Sequence, residues 1–407
     1  HSGEGHVYEE LTSVVKNSDL ANYFNGLGKY AGYSNYIALD RDVVLSSGTL
    51  TLGRDLYICL NGHSLTGSFT NASGNNYKVY ITNCLDTTGV IYSHADAFVT
   101  NAGIEVYGKK INGQNNISVE VDEAFAHVSS GDRYTYAYNV HFNKLSKESL
   151  IEYDVAASLI RIDLRPDIRL EHITLENSYG HSDAEAFVKS DYENFIEFIS
   201  PDIKDVEHAP MLVDAESSIL NFEGDGSITA YKTATSSIIK ARRMDVSEHA
   251  TIEIRDNEMP LYNDLDESLI KTGELYVYGD FRVKNNKIVE QGYNSTKVLS
   301  AIHVDSIKVY NSTFEVTGNR VFTSTMALST DNHMYGIYGT ITNNSTPLFE
   351  LDTTTSGIMF SENSRFDSIA FASIDGQGVV INNWTSSTAA NEGIYGTIFK
   401  ADTYRDN

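Results

Sequence analysis

The stretch Thr251-Ile252-Glu253-Ile254-Arg255-Asp256-Asn257 returns as Asp280-Phe281-Arg282-Val283-Lys284-Asn285-Asn286, and again as Thr313-Phe314-Glu315-Val316-Thr317-Gly318-Asn319. Each time, apolar and polar residues alternate, and an Asn follows the second apolar residue by three places. Shorter echoes pair Ile341 with Asn344, Phe360 with Asn363 and Val380 with Asn383, so that successive Asn lie 29, 33, 25, 19 and 20 residues apart. Alternation with period two is the mark of a β-strand. A unit of this size, holding two or three short strands, is one coil of a parallel solenoid, and its variable length suits loops inserted while the strands keep register. The Asn has a use at such a strand end. Its amide both donates and accepts, so stacked Asn can join coil to coil, and Asn tolerates the left-handed turn between sheets.

Upstream the same texture continues. Runs such as Leu56-Tyr57-Ile58-Cys59-Leu60, Lys78-Val79-Tyr80-Ile81-Thr82 and Glu274-Leu275-Tyr276-Val277-Tyr278 alternate in the same way between Gly, Asn, Asp and Ser clusters. Only the beginning differs. Tyr8, Leu11, Val14 and Val15 fall at helical spacing, and after a break at Asn17-Ser18 a second apolar set follows at Leu20, Tyr23 and Phe24. The fold class expected is therefore all-β: a helical cap over residues 1–36, then a parallel solenoid over 37–407. The end of the chain, Ile394 through Asn407, shows no helical pattern to cap the last coil. The opening on His1 rather than Met reads as a processed or excised piece, and the C-terminal feature as either a cut from a longer chain or a last coil blocked by an irregular tail.

Composition narrows the partners. The chain has 407 residues, 30 basic against 55 acidic, and a net charge of −25. That balance argues against phosphate backbones and anionic membrane surfaces, which need clustered Lys and Arg, so no nucleic acid partner is expected. No apolar run is long enough to span a bilayer. Two Cys rule out a disulfide-stapled scaffold, and Cys59 and Cys84, 25 residues apart, are read as unlinked small core residues, with a single bridge between them as the alternative.

A second run carries a family likeness. Leu60-Asn61-Gly62-His63-Ser64-Leu65, after the strand Leu56–Cys59, and the following Val79-Tyr80-Ile81-Thr82-Asn83 resemble coils of right-handed parallel β-helix proteins of the pectin-lyase-like class. The likeness is greatest to the repeat regions of exported or wall-attached proteins of Gram-positive bacteria, and it covers about residues 37–400. It implies a single right-handed β-helix with an N-terminal capping helix, and an extracellular or cell-surface location. Its motifs are structural and imply no particular activity.

Candidate chemistry is thin. Gly103 to Lys110 has the spacing of a phosphate-binding loop, but Lys110 stands where a Ser or Thr must reach Mg²⁺. The densest polar stretch runs Arg161-Ile162-Asp163-Leu164-Arg165-Pro166-Asp167-Ile168-Arg169 and on to His172, His181 and Asp183. There Arg165 would position an acidic sugar while Asp163, His181 or Asp183 acts as base. The simpler reading is an alternating-charge solvated face. The Arg-Pro of pectate lyases is present at Arg165-Pro166, but the rest of that motif is not, nor are the signatures of polygalacturonases. The clusters Asp202, Asp205, Glu207 and His208, and Asn263, Asp264, Asp266 and Glu267, are read as solvated loops; the alternative is Ca²⁺ on their carboxylate and amide oxygens, without EF-hand spacing. No cofactor and no transition metal is expected. Tyr57, Tyr80, Tyr107, Tyr276, Tyr278, Tyr335 and Tyr338 alternate with aliphatic residues, which fits equally exposed aromatic rows for stacking on sugars or a protein contact and ordinary packing over the sheet.

The function expected from the sequence is that of a non-catalytic, monomeric surface or secreted protein, adhesin-like, binding a host glycan or surface protein. The alternative is a polysaccharide lyase or glycoside hydrolase acting on an acidic polysaccharide at Asp163, Arg165, His181 and Asp183.

Overall fold

The structure, a computed structural model, describes residues 8–11, 15–93, 97–121, 124–129, 134–144, 160–162, 167–176, 186–209, 211–233, 237–261, 267–290, 299–310, 313–317, 319–323, 335–338, 350–352, 358–360, 373–375 and 379–381. Among the described residues the protein is all-β apart from one short α-helix and two 3₁₀ turns, and its strands pair in long parallel sheets. The chain divides into two units, one of His1–Tyr179 with Ala186–Glu197 and the other of Gly180–Glu185 with Phe198–Asn407.

In the first unit the strands of the parallel sheet pair with those one winding on, and each winding has three sides. One side runs Glu9–Leu11, Tyr36–Leu39, Leu56–Cys59, Lys78–Thr82, Gly103–Tyr107, Thr135–Tyr138 and Ile168–Glu171, all parallel and in register. The next side runs from Ser64 through Gly89–Ser93, Ile117–Val121 and Val140–Lys144 to Thr174–Glu176. The third takes Phe69, Ala97–Thr100, Ala124–Val128, Ile160–Ile162 and Ala186–Ser190. Because pairing is in register, every inward residue sits on its counterpart. Ile37, Ile58, Ile81, Val106, Ala137 and Leu170 form one such column, each fully buried. A second interior column is aromatic: Phe24, Phe69, Phe98, Phe125, Phe142 and Phe187 follow one another with ring centroids 5.3 to 6.5 Å apart.

Among the described residues of the cap, helix is found from Asn17 onward. Leu20–Asn25 is the α-helix, burying Leu20, Tyr23 and Phe24, and Gly26 closes it at φ 62° in the left-handed conformation. The expected helix over Tyr8 to Val15 is corrected. Glu9–Leu11 is a strand paired with Tyr36–Leu39, and Leu11 is wholly buried. Its apolar spacing serves an inward strand position, because an open strand edge lay beside it to be paired. Arg54 fastens the helix to the first windings. Its guanidinium donates to the carbonyls of Phe24 at 2.7 Å, Tyr33 at 2.8 Å, Ser34 at 3.0 Å and Tyr23 at 3.3 Å. Two of these are C-terminal helix carbonyls, the negative end of the dipole. Arg54→Met keeps the stem and removes the donors. It should cost about 2–3 kcal/mol in urea denaturation and expose Leu20–Asn25 to protease.

The cysteines are also a correction. Cys59 and Cys84 are joined in a disulfide, their Cα atoms 6.2 Å apart. The register places Cys59 beside Thr82 on the next strand, which brings Cys84 within reach. Sequence separation alone could not show this.

In the second unit, the repeated stretches stack as one side: Asp225–Thr229, Thr251–Arg255, Asp280–Lys284 and Phe314–Thr317, in parallel register. Glu258–Leu261, Lys287–Glu290 and Arg320–Thr323 form the next. The long strands Met211–Glu223, Ile239–Val246, Glu267–Val277 and Leu299–Tyr310 complete the winding. Asn257, Asn286 and Asn319 meet at one corner. Asn286 Oδ1 accepts from the backbone N–H of Asn257, and Asn319 Oδ1 from that of Asn286, both at 3.0 Å. In return Asn286 Nδ2 donates to the carbonyl of Ile254 at 3.0 Å, and Asn319 Nδ2 to that of Val283 at 2.9 Å. The offset of three in the sequence thus has a cause: the apolar residue's carbonyl receives the next winding's amide. Asn257 starts the ladder on Tyr231 N–H and Ile228 carbonyl. Before Asn257 and Asn286 the left-handed residue is the preceding one, not the Asn itself: Asp256 has φ 57° and Asn285 φ 53°. Asn344, Asn363 and Asn383 lie outside the described residues.

Candidate functional site

In-register stacking also orders the outward residues of the first unit. Tyr36, Tyr57 and Tyr80 occupy one column, with ring centroids 4.3 and 4.4 Å apart and planes within 12° and 2° of parallel. Strands are about 4.8 Å apart, so rings in one rotamer stack face to face. Tyr8 closes one end edge-on at 5.7 Å, and the Lys78 ammonium lies 5.9 Å from the Tyr80 ring centre at the other. The ring faces are therefore occupied by one another, and what the column offers outward is ring edges and hydroxyls.

Beyond Tyr80 the column continues through Glu105, Tyr136 and Arg169. Glu105 accepts from Tyr107 at 2.6 Å and from Lys78 at 3.2 Å. Tyr136 donates to Glu171 at 2.9 Å and meets the Tyr107 ring edge-on at 5.1 Å. Arg169 lies 5.9 Å above the Tyr136 ring, with Glu197 at 3.5 Å and Glu171 at 3.6 Å. These side chains are all half-buried. Burial, before any neighbouring charge, pushes the phenols of Tyr57 and Tyr134 up to about 12. It does the same, in direction, for Tyr107 and Tyr136, helped by the Glu105 and Glu171 carboxylates they bond. All stay protonated at neutral pH, a stripe of hydroxyl donors and acceptors over a partly apolar floor.

Of the residues singled out in the sequence, Tyr57, Tyr80 and Tyr107 come together here. Arg169 joins them, and Lys78, Glu105, Tyr134, Tyr136, Glu171 and Glu197 were missed, because only the register reveals which alternating residues share a column. Tyr276 and Tyr278 lie in the second unit with ring centroids 6.3 Å apart, Arg243 sitting 4.1 Å from the Tyr276 ring centre. The side chains of Tyr335 and Tyr338, and the whole of Asp163, Arg165, His181 and Asp183, lie outside the described residues. His172 is at a corner with φ 51°.

The acidic cluster of the second unit is divided between lysines: Asp202 is 3.4 Å from Lys204 and Glu207 2.6 Å from Lys232, while Asp205 is exposed. The side chains of His208 and Glu267, and Asn263, Asp264 and Asp266 entirely, lie outside the described residues. Among the described residues, no three His, Cys, Asp or Glu side chains are placed to share a metal ion. A shallow depression of about 210 Å³ in the second unit is lined by Glu216, Arg242, Lys271, Gly273, His303 and Asp305. It forms where the long strands bend and the ladder skips Arg242 and Gly273. Charges of both signs line it, so it selects no ligand charge. No helix among the described residues is long and apolar enough to cross a membrane.

No family model matches the chain, and neither a curated protein nor a solved structure matches it.

Proposed function

We propose that this chain is the ligand-binding region of an exported or surface-displayed bacterial protein, adhesin-like, built as a single right-handed β-helix. It takes a hydroxyl-rich glycan chain on the tyrosine face of its first unit. The observation that carries the reading is the outward column from Tyr36 to Arg169, with Tyr107 and Tyr134 beside it. A face needed only for solubility would carry scattered, mobile charges. Here tyrosines are ordered by stacking and by carboxylates, so a ligand meets donors already held in place and orders few side chains on binding. The repeat of the strands, about 4.8 Å, is close to the length of one sugar residue, so a linear glycan along the column would meet one outward side chain of it at each step. The acidic surface supports a neutral or weakly charged glycan over a polyanion.

A glycan array followed by titration calorimetry tests this. Tyr136→Ala should weaken binding roughly tenfold or more, as loss of a central aromatic contact does. Tyr57→Phe, which keeps the stack and removes one hydroxyl, should weaken it less. Binding that ignores both substitutions would remove the tyrosine face from the function.

A further inference from the structure

One cluster in the first unit lies on the side next to the tyrosine face, and a binding role does not use it. His141 and Thr174 are register partners on neighbouring parallel strands, and Thr174 Oγ1 lies 2.9 Å from His141 Nδ1. On the other edge of the imidazole, Nε2 lies 3.4 Å from Glu176 Oε2. Asn115 comes from an antiparallel hairpin, Lys110–Ile111 with Gln114–Asn115, inserted between parallel strands. The hairpin carries the Asn115 amide across the intervening winding, and its Nδ2 lies 3.4 Å from Thr174 Oγ1 and 3.1 Å from the His172 carbonyl. Asn115 is 9% exposed, and its Oδ1 is buried with no partner.

We infer that Thr174, His141 and Glu176 form a nucleophile, base and carboxylate relay that hydrolyses an O-acyl ester on a polymer lying over this open face. The roles follow from the geometry. Glu176 Oε2, at ion-pair distance from Nε2, stabilises the imidazolium that forms when Nδ1 takes the proton. Burial lowers the affinity of His141 for a proton, against the opposing pull of Glu176 and Glu120, so the ring is neutral and able to act as base near pH 7. Thr174 Oγ1 attacks the ester carbonyl carbon as its proton passes to His141 Nδ1. Asn115 Nδ2 donates to Thr174 Oγ1 and to the His172 carbonyl, which holds the threonine hydroxyl oriented towards His141. Collapse breaks the carbon–oxygen bond to the alcohol, which takes the proton from His141. Water then gives a proton to His141 and attacks the acyl-threonine, releasing the carboxylic acid and restoring the hydroxyl. The substrate class follows from exposure. Glu176 is 58% exposed and His141 27%, so the site is shallow, suited to an ester projecting from a chain and not to a small molecule that must be enclosed.

The probes are p-nitrophenyl acetate for turnover and a fluorophosphonate for labelling, used on the intact chain. The wild type should turn over and carry the label on Thr174, located by peptide mass spectrometry. Thr174→Val should lower kcat/KM on the order of a thousandfold, as loss of a relay member does, and Thr174→Ser should retain turnover. Glu176→Gln, at a positioning residue, should lower kcat with KM unchanged. Each variant is to melt with the wild-type circular dichroism transition. Absence of turnover in the wild type, a label elsewhere, or turnover unchanged in Thr174→Val would overturn the assignment. Because these probes carry no glycan, their failure is distinct from failure of the glycan-binding role.

Discussion

Asn286→Leu should destabilise the second unit by about 4 kcal/mol in chemical denaturation, with no loss of side-chain volume to explain it. The Asn286 side chain is wholly buried, and it accepts from Asn257 N–H, donates to the Ile254 carbonyl, and donates to Asn319 Oδ1 at 2.8 Å. Leucine is close in size and satisfies none of them, so the Asn257 N–H and the Ile254 carbonyl are left dry and unpaired, and Asn319 Oδ1 keeps only the Asn286 backbone N–H. Each such group costs about 1–3 kcal/mol, and the sum is reduced by relaxation at one corner. Asn285→Gly beside it is the control: Asn285 is exposed at φ 53°, a conformation glycine adopts freely, so stability should change little. In a stack where each winding touches only its neighbours, hydrogen exchange should quicken first around Ile254 and Val283.

Phe125→Ala should be comparably severe in the first unit, at about 3–5 kcal/mol. Phe125 is wholly buried between Phe98, parallel at 6.2 Å, and Phe142, edge-on at 5.4 Å. Removing a ring from the middle of that column leaves a void that paired strands cannot close, because the backbone ladder fixes their spacing. Phe125→Leu refills most of the space and should cost less than half as much. A calorimetric melt of the three proteins gives the order.

How much of this was legible beforehand depends on whether the determining contact is local. The Asn corner was legible because ladder partners recur at intervals the chain itself displays. The interior columns were legible as alternation. The column shared by Tyr36, Tyr57 and Tyr80 was only half legible: alternation marks them outward, but loops of unequal length hide which strand position follows which. The relay at Thr174 was invisible for the same reason. His141 and Thr174 are 33 residues apart, and Asn115 and Thr174 59 apart, with nothing in the intervening sequence to announce the match. The misread helix at Tyr8 to Val15 failed differently. Apolar spacing over so few residues fits a helix and an inward strand alike, and the open edge of the first winding decided between them.

The stacked register itself can be tested with paired cysteines. Glu253, Arg282 and Glu315 follow one another outward on successive strands. Neighbours about 4.8 Å apart suit a disulfide, whereas residues two strands apart exceed the roughly 7 Å that one can bridge. Glu253→Cys with Arg282→Cys, and Arg282→Cys with Glu315→Cys, should each oxidise in the folded protein to a new linked peptide. Glu253→Cys with Glu315→Cys should not. Linkage of that last pair, or failure of the two adjacent ones, would contradict the parallel stack.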